Sequence, residues 1–585
     1  MTRDTIPHRV LRMAVERPST IAYQAKVNGR WQPTTWKTYG EQIRTAARSM
    51  MALGLQRGGK VAILGFNRPE WAIFDHAAMM AGGCPAGIYT TCSAEEVQYI
   101  VHHSESLIML VENAEQLAKV KAKRSELPQL KWIVMMKGAI DATGGDVLTW
   151  EDFLAKADAT SDAELDKRID SIEQSDLATL IYTSGTTGPP KGVMLSHGNL
   201  AWTSRALWQL GGQRTGEVLL SYLPLSHIAE QMCSLHMPAT GAHTVYFAES
   251  IEKVPENLKD ARPTVFFGVP RIWEKFHAAM AGKLAQTTGA KKALVDWARK
   301  VCRQVNIHRD RGEAVPKHLE LQYKLADKLV ISKIKQAIGL DRAFEMFSGA
   351  APIAPDVLEF FSSLDLPIHE IYGQSEDCGP TSCNISGKTK IGSVGPPIPG
   401  IEVKLGDDGE ILIRGPNVFL GYYKEPEATA ETLKDGWLCS GDLGAFDKDG
   451  FLSITGRKKE IIITAGGKNI APKNIEALIK QSPLVGEAVV IGDRRKFLTA
   501  LVTLEPTAAE KLATEQIRSQ IQVKIDEINQ QLARVEQIKK FAILEKPFGI
   551  DSGELTPTMK IKRKVVAQKY AREIEAMYSA ESDAS

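Results

Sequence analysis

The string Tyr182-Thr-Ser-Gly-Thr-Thr-Gly-Pro-Pro-Lys-Gly-Val193 follows an apolar run, is rich in glycine and threonine, and ends around a lysine. Glycines let backbone N–H groups approach an anion closely, hydroxyls add donors, and Lys191 adds a positive charge. The chemistry this composition suits is phosphate binding. It is not a Walker A loop. Gly185 and Lys191 are six apart, but Pro190 stands where the second glycine of that loop belongs and Gly192 where its Ser or Thr belongs.

Four further strings follow in order: Leu223-Pro-Leu-Ser-His-Ile-Ala-Glu230, Tyr372-Gly-Gln-Ser-Glu376, Ser440-Gly-Asp-Leu-Gly444 and Gly456-Arg-Lys-Lys-Glu-Ile-Ile-Ile-Thr464. A fifth, Leu555-Thr-Pro-Thr-Met-Lys-Ile-Lys-Arg-Lys564, comes near the end. Singly they are ordinary: Asp442 reads as a turn residue, Glu376 as a solvated carboxylate and His227 as a half-buried histidine. Together and in this order, the chain resembles the adenylate-forming superfamily of acyl-CoA synthetases, luciferases and adenylation domains over nearly its whole length. Within it, Gly65-Phe-Asn-Arg-Pro-Glu-Trp71, Gly83-Cys-Pro-Ala-Gly-Ile-Tyr-Thr-Thr91 and a long helical insertion are most similar to long-chain fatty acyl-CoA synthetases, above all the bubblegum-type subgroup. Ser375 stands where the commoner long-chain string has Thr, which points the same way and keeps the hydroxyl.

The resemblance implies ATP-dependent activation of a long-chain fatty acid to acyl-AMP and pyrophosphate, then transfer to CoA. A carboxylate is a poor electrophile, and attack on the α-phosphate of ATP builds charge there and on the leaving pyrophosphate. Positioned cations and donors must meet that charge. By the resemblance, Thr183, Ser184, Gly185, Thr186, Thr187 and Lys191 embrace the triphosphate, and Thr183 and Glu376 hold Mg2+, a hard cation suited to oxygen. Ser375, next to Gln374, touches the α-phosphate. Gly349, Ala350 and Ala351 form the adenine slot with Tyr372 and Gly373. Asp442 accepts the ribose hydroxyls with help from Arg457, and His227 sits beside the incoming carboxylate. Lys560 is the adenylation donor. Lys459 matches the hinge about which a C-terminal domain rotates, and the loop Thr464-Ala-Gly-Gly-Lys-Asn469, with Gly466 and Gly467, then lines the pantetheine channel. The other basic residues after Lys560 read for the most part as a solvated face, with contact to the phosphates of CoA as the alternative for some.

Two other readings stay open at this level. A fatty acyl-AMP ligase shares the nucleotide motifs but loads a carrier protein, and a non-catalytic nucleotide or lipid binding protein would keep the pocket without turnover. A serine hydrolase is disfavoured by the lack of G-x-S-x-G. His308-Arg-Asp310 resembles a kinase triplet, but no asparagine follows at the required spacing.

These residues must be positioned by a large framework. At roughly 100–200 residues per domain, a 585-residue chain holds at least two folding units. Apolar residues at 43% and charged residues at 24% are ordinary for a globular protein. A net charge of +2 argues against a nucleic-acid binder or an acidic tail. Seven cysteines without C-x-x-C predict a reducing compartment and no zinc site. No secretory signal is visible, and the uncharged stretch Ala77–Ala94 is broken by Gly82, Gly83, Pro85 and Gly87. The expected location is cytoplasmic, with peripheral membrane contact as the remaining option.

Hydrophobic rhythm predicts an α/β fold. Strands are expected at Lys60–Phe66, Trp132–Met136 and Leu177–Tyr182, and a helix at Trp71–Met80. A capping box is expected at Thr38–Glu41 ahead of a helix closing near Gly54. About residues 271–339 read as a helical insertion, either a solvated cover or a tunnel wall. The whole is expected to be a large N-terminal α/β domain, 1–457, with stacked sheets and helical layers, and a small mobile α+β domain, 458–585. The small domain should contain strands at Ile461–Thr464, Ala488–Ile491 and Leu498–Leu504, and helices at Pro472–Gln481 and Ile517–Leu532. Trp208, Met232 and Phe267 are candidates either to line the acyl tunnel or to fill core, and core is the expectation.

Overall fold

The structure is a computed structural model that describes residues 4–138, 145–183, 189–466, 468–510 and 512–579. Its largest sheet has eight strands in the spatial order Gly421–Tyr422, Lys191–Ser196, Leu177–Thr183, Cys84–Ile88, Lys60–Leu64, Ser106–Val111, Trp132–Met135, Val147–Leu148. The last six are parallel; Lys191–Ser196 runs against them, and the edge strand Gly421–Tyr422 pairs antiparallel with it. Parallel sheets are covered on both faces, so their strands are continuously apolar. Val61, Ala62, Ile63 and Leu64 are accordingly all buried. The helix Pro69–Met80 starts on proline and is buried on every side from Glu70 onward.

The helix Trp36–Ala52 begins earlier than the sequence suggested. Thr35, in extended conformation, is the cap, and its Oγ1 accepts from the Thr38 N–H. Thr38 is therefore the third helical residue, its own free N–H already capped by Thr35, and Thr38 and Glu41 form no capping box.

Two four-stranded sheets complete the frame of the site. One orders Val218–Ser221, Thr244–Phe247, Ile21–Val27 and Arg30–Thr35; the other orders Val265–Gly268, Glu345–Ser348, His369–Tyr372 and Ser382–Cys383. The strands nearest the site are parallel within each sheet. Thr264 joins the two: its N–H donates to Val218 O, and its Oγ1 accepts from Val218 N–H at 2.8 Å.

The insertion is helical as expected, with Pro270–Ala285, Gly289–Asp310, Lys317–Ala326 and Ser332–Ile338, and one wide turn at Asp327–Ile331. Val295, Ala298, Val301, Cys302, Val305, Leu319, Ala326 and Val330 pack with Phe361, Leu364 and Leu366. Leu294 and Leu329, which fit the same spacing, are instead 38% and 40% exposed.

A further sheet carries Glu402–Leu405, Glu410–Arg414, Trp437–Phe446 and Leu452–Arg457. The turn Asp447–Gly450 closes its last hairpin, with Asp447 Oδ1 accepting from Asp449 and Phe451 N–H groups. After the short turn Lys458–Glu460, the strands Val485–Ile491, Leu498–Leu504 and Ile538–Leu544 form a small sheet. The helices Pro472–Ile479 and Thr514–Asn529 pack on one face, and Arg563–Lys569 and Ala571–Ser579 on the other. The strand expected at Ile461–Thr464 shrinks to Ile462–Ile463, paired with Asn469–Ile470. Among the described residues no helix is long and apolar enough to cross a membrane.

Candidate active site

Adjacent parallel strands gather the nucleotide-binding candidates. Glu345–Ser348 and His369–Tyr372 pair as Phe347–His369 and Ser348–Glu370, so the segments leaving their ends, Gly349-Ala350-Ala351 and Gly373-Gln374, lie side by side. A Cβ on Gly349 would stand 2.8 Å from the Ile371 side chain, and Ala350 has φ of +67°. At Gly373 a Cβ would fall 1.4 Å from Gly379 O, so only glycine fits there. The turn Ser375–Asp377 follows. Buried Asp377 fastens it by accepting from Gln374 N–H and from Thr381 Oγ1–H, both at 2.8 Å. Ser375 is buried. The side-chain nitrogen of Gln374 is buried with no hydrogen-bond partner, and the residue lines the main cavity; it is a donor with nothing yet to donate to.

Asp442 and Arg457 are cross-strand partners, with Arg457 Nε 3.1 Å from Asp442 Oδ1. The other carboxylate oxygen accepts from Tyr372 O–H at 2.9 Å. Burial, then the Asp442 charge, pushes the Tyr372 phenol well above its ordinary value, so it remains a donor.

Thr183 and Lys191 face each other across an antiparallel pair. Ser184, Gly185, Thr186 and Thr187 between them lie outside the described residues, as does Gly467. The ammonium of Lys191 stands 5.1 Å over the Tyr422 ring and 3.7 Å from Glu425 Oε2. Tyr422 in turn donates to Glu376 Oε1 at 2.8 Å. Tyr422 and Glu425 thus connect two predicted site residues, Lys191 and Glu376, and the sequence reading missed both. Gly421-Tyr-Tyr-Lys-Glu425 was the available signal.

His227 caps the short helix Ile228–Gln231, its Nδ1 accepting from Ala229 N–H at 3.1 Å. In the neutral ring Nε2 therefore carries the proton. Burial and the nearby Lys560 charge push the ring down to about 4, so it is neutral at physiological pH. The loop that presents it is held by Asn67, from the Gly65–Trp71 string. Asn67 Nδ2 donates to Ser221 Oγ and Leu223 O, and Oδ1 accepts from Leu225 N–H. Ser221 Oγ passes its own proton to Glu230 Oε1, which also accepts from Ser234 Oγ. Burial pushes the Glu230 carboxyl up to about 8.

Lys560 arrives from the small domain on a tight turn. Thr556 N–H donates to Lys560 O at 2.8 Å, Lys560 N–H donates to Thr556 Oγ1 at 3.0 Å, and Met559 has φ of +61°. Thr91 Oγ1 donates to Pro557 O at 2.8 Å and ties this turn to the large domain. The Lys560 ammonium keeps an accessible face but is surrounded by protein. That desolvation, with the charges of Arg457 and Lys473, lowers its pKa; Glu376 and Asp442 oppose the shift. Lys560 thus lies within reach of the charges of Arg457, Lys473, Glu376 and Asp442, and its own charge is felt at His227. Lys459 is exposed in the turn Lys458–Glu460, and Gly466 is exposed at a hairpin tip; neither joins this cluster.

A cavity of about 1360 Å³, its open mouth included, starts at His227, Gly349 and Tyr372 and is lined mainly by apolar side chains. Its walls include Leu220, Cys233, Phe347 and Ile385. Trp208, Met232 and Phe267, expected to fill core, line this cavity instead; they sit on separate elements that converge only in the fold. Glu217, His243 and Glu345 precede or begin parallel strands and so mark the far end, roughly 13 Å from Gly349 along Glu345–Ser348 at about 3.3 Å per residue.

Among the described residues no cluster of three or more His, Cys, Asp or Glu could hold a metal ion. Thr183 and Glu376 offer an oxygen donor set of the kind Mg2+ uses when substrate phosphates supply the rest.

Residues 11–423 match the family model described as AMP-binding enzyme, and residues 459–582 match that of the AMP-binding enzyme C-terminal domain. The chain is 39% identical to the long-chain-fatty-acid–CoA ligase ACSBG2 of Xenopus laevis, covering 95% of this chain and 81% of that protein. It is 38% identical to the long-chain-fatty-acid–CoA ligase FadD15 of Mycobacterium tuberculosis, covering 99% and 98%. Among solved structures it is similar to the A domain of carboxylic acid reductase from Segniliparus rugosus, in complex with AMP and a co-purified carboxylic acid. That match has a TM-score of 0.75 and 21% identity over 98% of this chain and 94% of the other. ATP-bound MatB from Rhodopseudomonas palustris matches with a TM-score of 0.71 and 23% identity over 97% and 99%.

Proposed function

The chain belongs to the AMP-binding enzyme family, and from that premise we propose that it is a long-chain-fatty-acid–CoA ligase of the bubblegum-type group. It joins a fatty acid and ATP into acyl-AMP and pyrophosphate, then transfers the acyl group to CoA with release of AMP. The observation that carries this reading is the apolar cavity headed by His227, Gly349 and Tyr372, with Lys560 close enough for its charge to act on His227 and to feel those of Glu376 and Asp442.

The acyl chain lies in the cavity with its carboxylate at His227. The neutral ring donates Nε2–H to that carboxylate and orients it without trapping it in an ion pair. The Lys560 ammonium meets the charge that develops on the α-phosphate as the carboxylate oxygen attacks, the stage at which a preorganised donor is worth most. Ser375 contacts the same phosphate, and Gln374 gives its unpartnered N–H to an oxygen of the bound adenylate. Gly349-Ala350-Ala351 and Tyr372-Gly373 sandwich the adenine. Asp442 accepts the ribose hydroxyls while Tyr372 and Arg457 hold its carboxylate still. Thr183, Lys191 and the loop Ser184–Thr187 take the β- and γ-phosphates. Thr183 and Glu376 would hold Mg2+, which when bound neutralises charge on the departing pyrophosphate. In the second half-reaction the CoA thiol gives its proton to solvent as its sulfur adds to the acyl carbonyl, and AMP leaves with the bonding pair of the C–O bond that breaks. For this the small domain turns about Lys459 and brings the loop with Gly466 and Gly467 towards the pantetheine.

Mass spectrometry of products from purified protein, Mg·ATP, CoA and mixed C8–C24 fatty acids tests the reading. Acyl-CoA and AMP are expected. Acyl-AMP that accumulates without thioester would move the chain to a ligase that loads a carrier protein, and absence of any adenylate would leave a binding protein.

A further inference from the structure

The helical insertion contributes no residue to the acyl cavity among the described residues, so its role is not that of a tunnel wall. Its charge differs from that of the rest of the molecule. From Gly289 to Ile338 there are twelve Lys and Arg against five Asp and Glu, a net of +7, while the remainder of the chain nets −5. The Lys317–Ala326 helix and the wide turn after it sit on the outer side of this segment.

Helical periodicity sorts that segment into two faces. Leu319, Tyr323, Ala326 and Val330 point inward, where Leu319, Ala326 and Val330 are buried and Tyr323 donates to Asp365 at 2.9 Å. Opposite them, Leu321 is 72% exposed, Leu325 50% and Leu329 40%. The spacing i, i+4, i+8 makes one apolar stripe. Lys317, Lys324 and Lys328, all exposed, flank it along one side. Glu320 pairs with Lys324 at 3.4 Å, and half-buried Asp327 lies at the far end.

Three leucines in a row on a solvent-facing helix cost solubility with no internal return, and such stripes mark contact surfaces. A protein partner would match the leucines but would need its own acidic patch for the lysines. An anionic bilayer meets both at once: leucines enter the acyl boundary, and lysine stems extend so that their ammonium groups reach headgroup phosphates. The separation of +7 from −5 would also orient the molecule toward a negative surface. We propose that this face docks the protein on anionic membranes, laid flat and not inserted across the bilayer. The biological motive rests on the reading above, since a long-chain fatty acid partitions into lipid; the binding itself does not depend on turnover.

The test is co-sedimentation with sucrose-loaded vesicles of equal phosphatidylglycerol and phosphatidylcholine, against phosphatidylcholine alone, at two salt concentrations. The wild-type protein should pellet with the anionic vesicles and be released by salt. Combined Leu321→Ser, Leu325→Ser and Leu329→Ser should weaken partitioning about tenfold or more. Combined Lys317→Gln, Lys324→Gln and Lys328→Gln should weaken it roughly a hundredfold, at about fivefold per lysine, and flatten the salt response. Thermal melts and thioester formation on dispersed octanoate should match the wild type in both variants. Failure of the wild type to pellet, or unchanged pelleting of both variants, overturns the proposal. So does a dimer in sedimentation velocity that the leucine variant dissolves, since the face would then belong to a second copy. Vesicle binding without acyl-CoA formation would refute the functional reading alone.

Discussion

Tyr372 and Asp442, seventy positions apart in the chain, are joined by a 2.9 Å hydrogen bond from the phenol to Oδ2. With Arg457 on the other carboxylate oxygen, that bond leaves Asp442 one orientation. The substitution Tyr372→Phe keeps the aromatic ring proposed to face adenine and frees the carboxylate. The expected result is a KM for ATP raised about tenfold with kcat nearly unchanged, the worth of one charge-assisted hydrogen bond. Steady-state pyrophosphate release against ATP concentration measures it, and an unchanged KM would remove Asp442 from the ribose.

Lys560→Ala should lower pyrophosphate release by about 10²–10³, as loss of one transition-state donor does. Transfer from a supplied acyl-adenylate to CoA should continue. Equal loss of both half-reactions would show that Lys560 does not act specifically in adenylation.

The pH profile of adenylation separates the two groups proposed to act at the carboxylate and the α-phosphate. His227, pushed down to about 4, is already neutral above about pH 5 and should give no inflection near the ordinary histidine value. Lys560, pushed below the ordinary lysine value by burial and by Arg457, loses its proton earlier than a free lysine as pH rises. The rate should therefore stay level from about pH 5 to 8 and fall on an alkaline limb that Lys560→Ala abolishes. An acid step near 6.5 in single-turnover kinetics would mean that His227 titrates as a solvated ring.

Chain-length preference should respond to bulk in the cavity wall. Cys233→Phe narrows the cavity beyond His227. At about 0.8 kcal/mol per excluded methylene, loss of two or three contacts lowers kcat/KM for a C16 acid roughly tenfold or more. A C8 acid that stops short of the added ring should be used as before. An equal fall for both acids in a competition assay would place the ring against the carboxylate and not the chain.

Lys459→Pro locks φ at the proposed pivot. Adenylation should persist and thioester formation fall, with acyl-AMP building up in quench samples. Normal thioester turnover would put the pivot elsewhere.

Local strings of residues made much of this legible. The strands Leu177–Thr183 and Leu498–Leu504 lie where their apolar runs put them, because that signal is carried by neighbours along the chain. The candidate site was legible where one turn holds several groups, as in Tyr372–Glu376. Contacts made across the fold were not. Nothing in the spacing of Lys191, Tyr422 and Glu376 says that a phenol stands between the cation and the carboxylate. The cavity wall draws Trp208, Met232 and Phe267 from three elements, and an apolar side chain has the same pattern whether it faces a cavity or a core. Thr35 and Thr38 illustrate the smallest scale: both residues suit a cap, and only the backbone conformation at Thr35 decides between them.

Beyond the linking turn, where Lys458 pairs with Asp408 and Glu410, the small domain meets the large one through the Thr91–Pro557 hydrogen bond and a 3.8 Å ion pair between Arg271 and Glu487. A single neutral hydrogen bond is worth about 1 kcal/mol, and a half-exposed ion pair no more. The turn that delivers Lys560 is thus latched, not welded. Thermal motion opens a latch of that strength readily, so the presence of ligands in the cleft, more than the strength of the protein's own closure, decides how long the catalytic lysine stays in place.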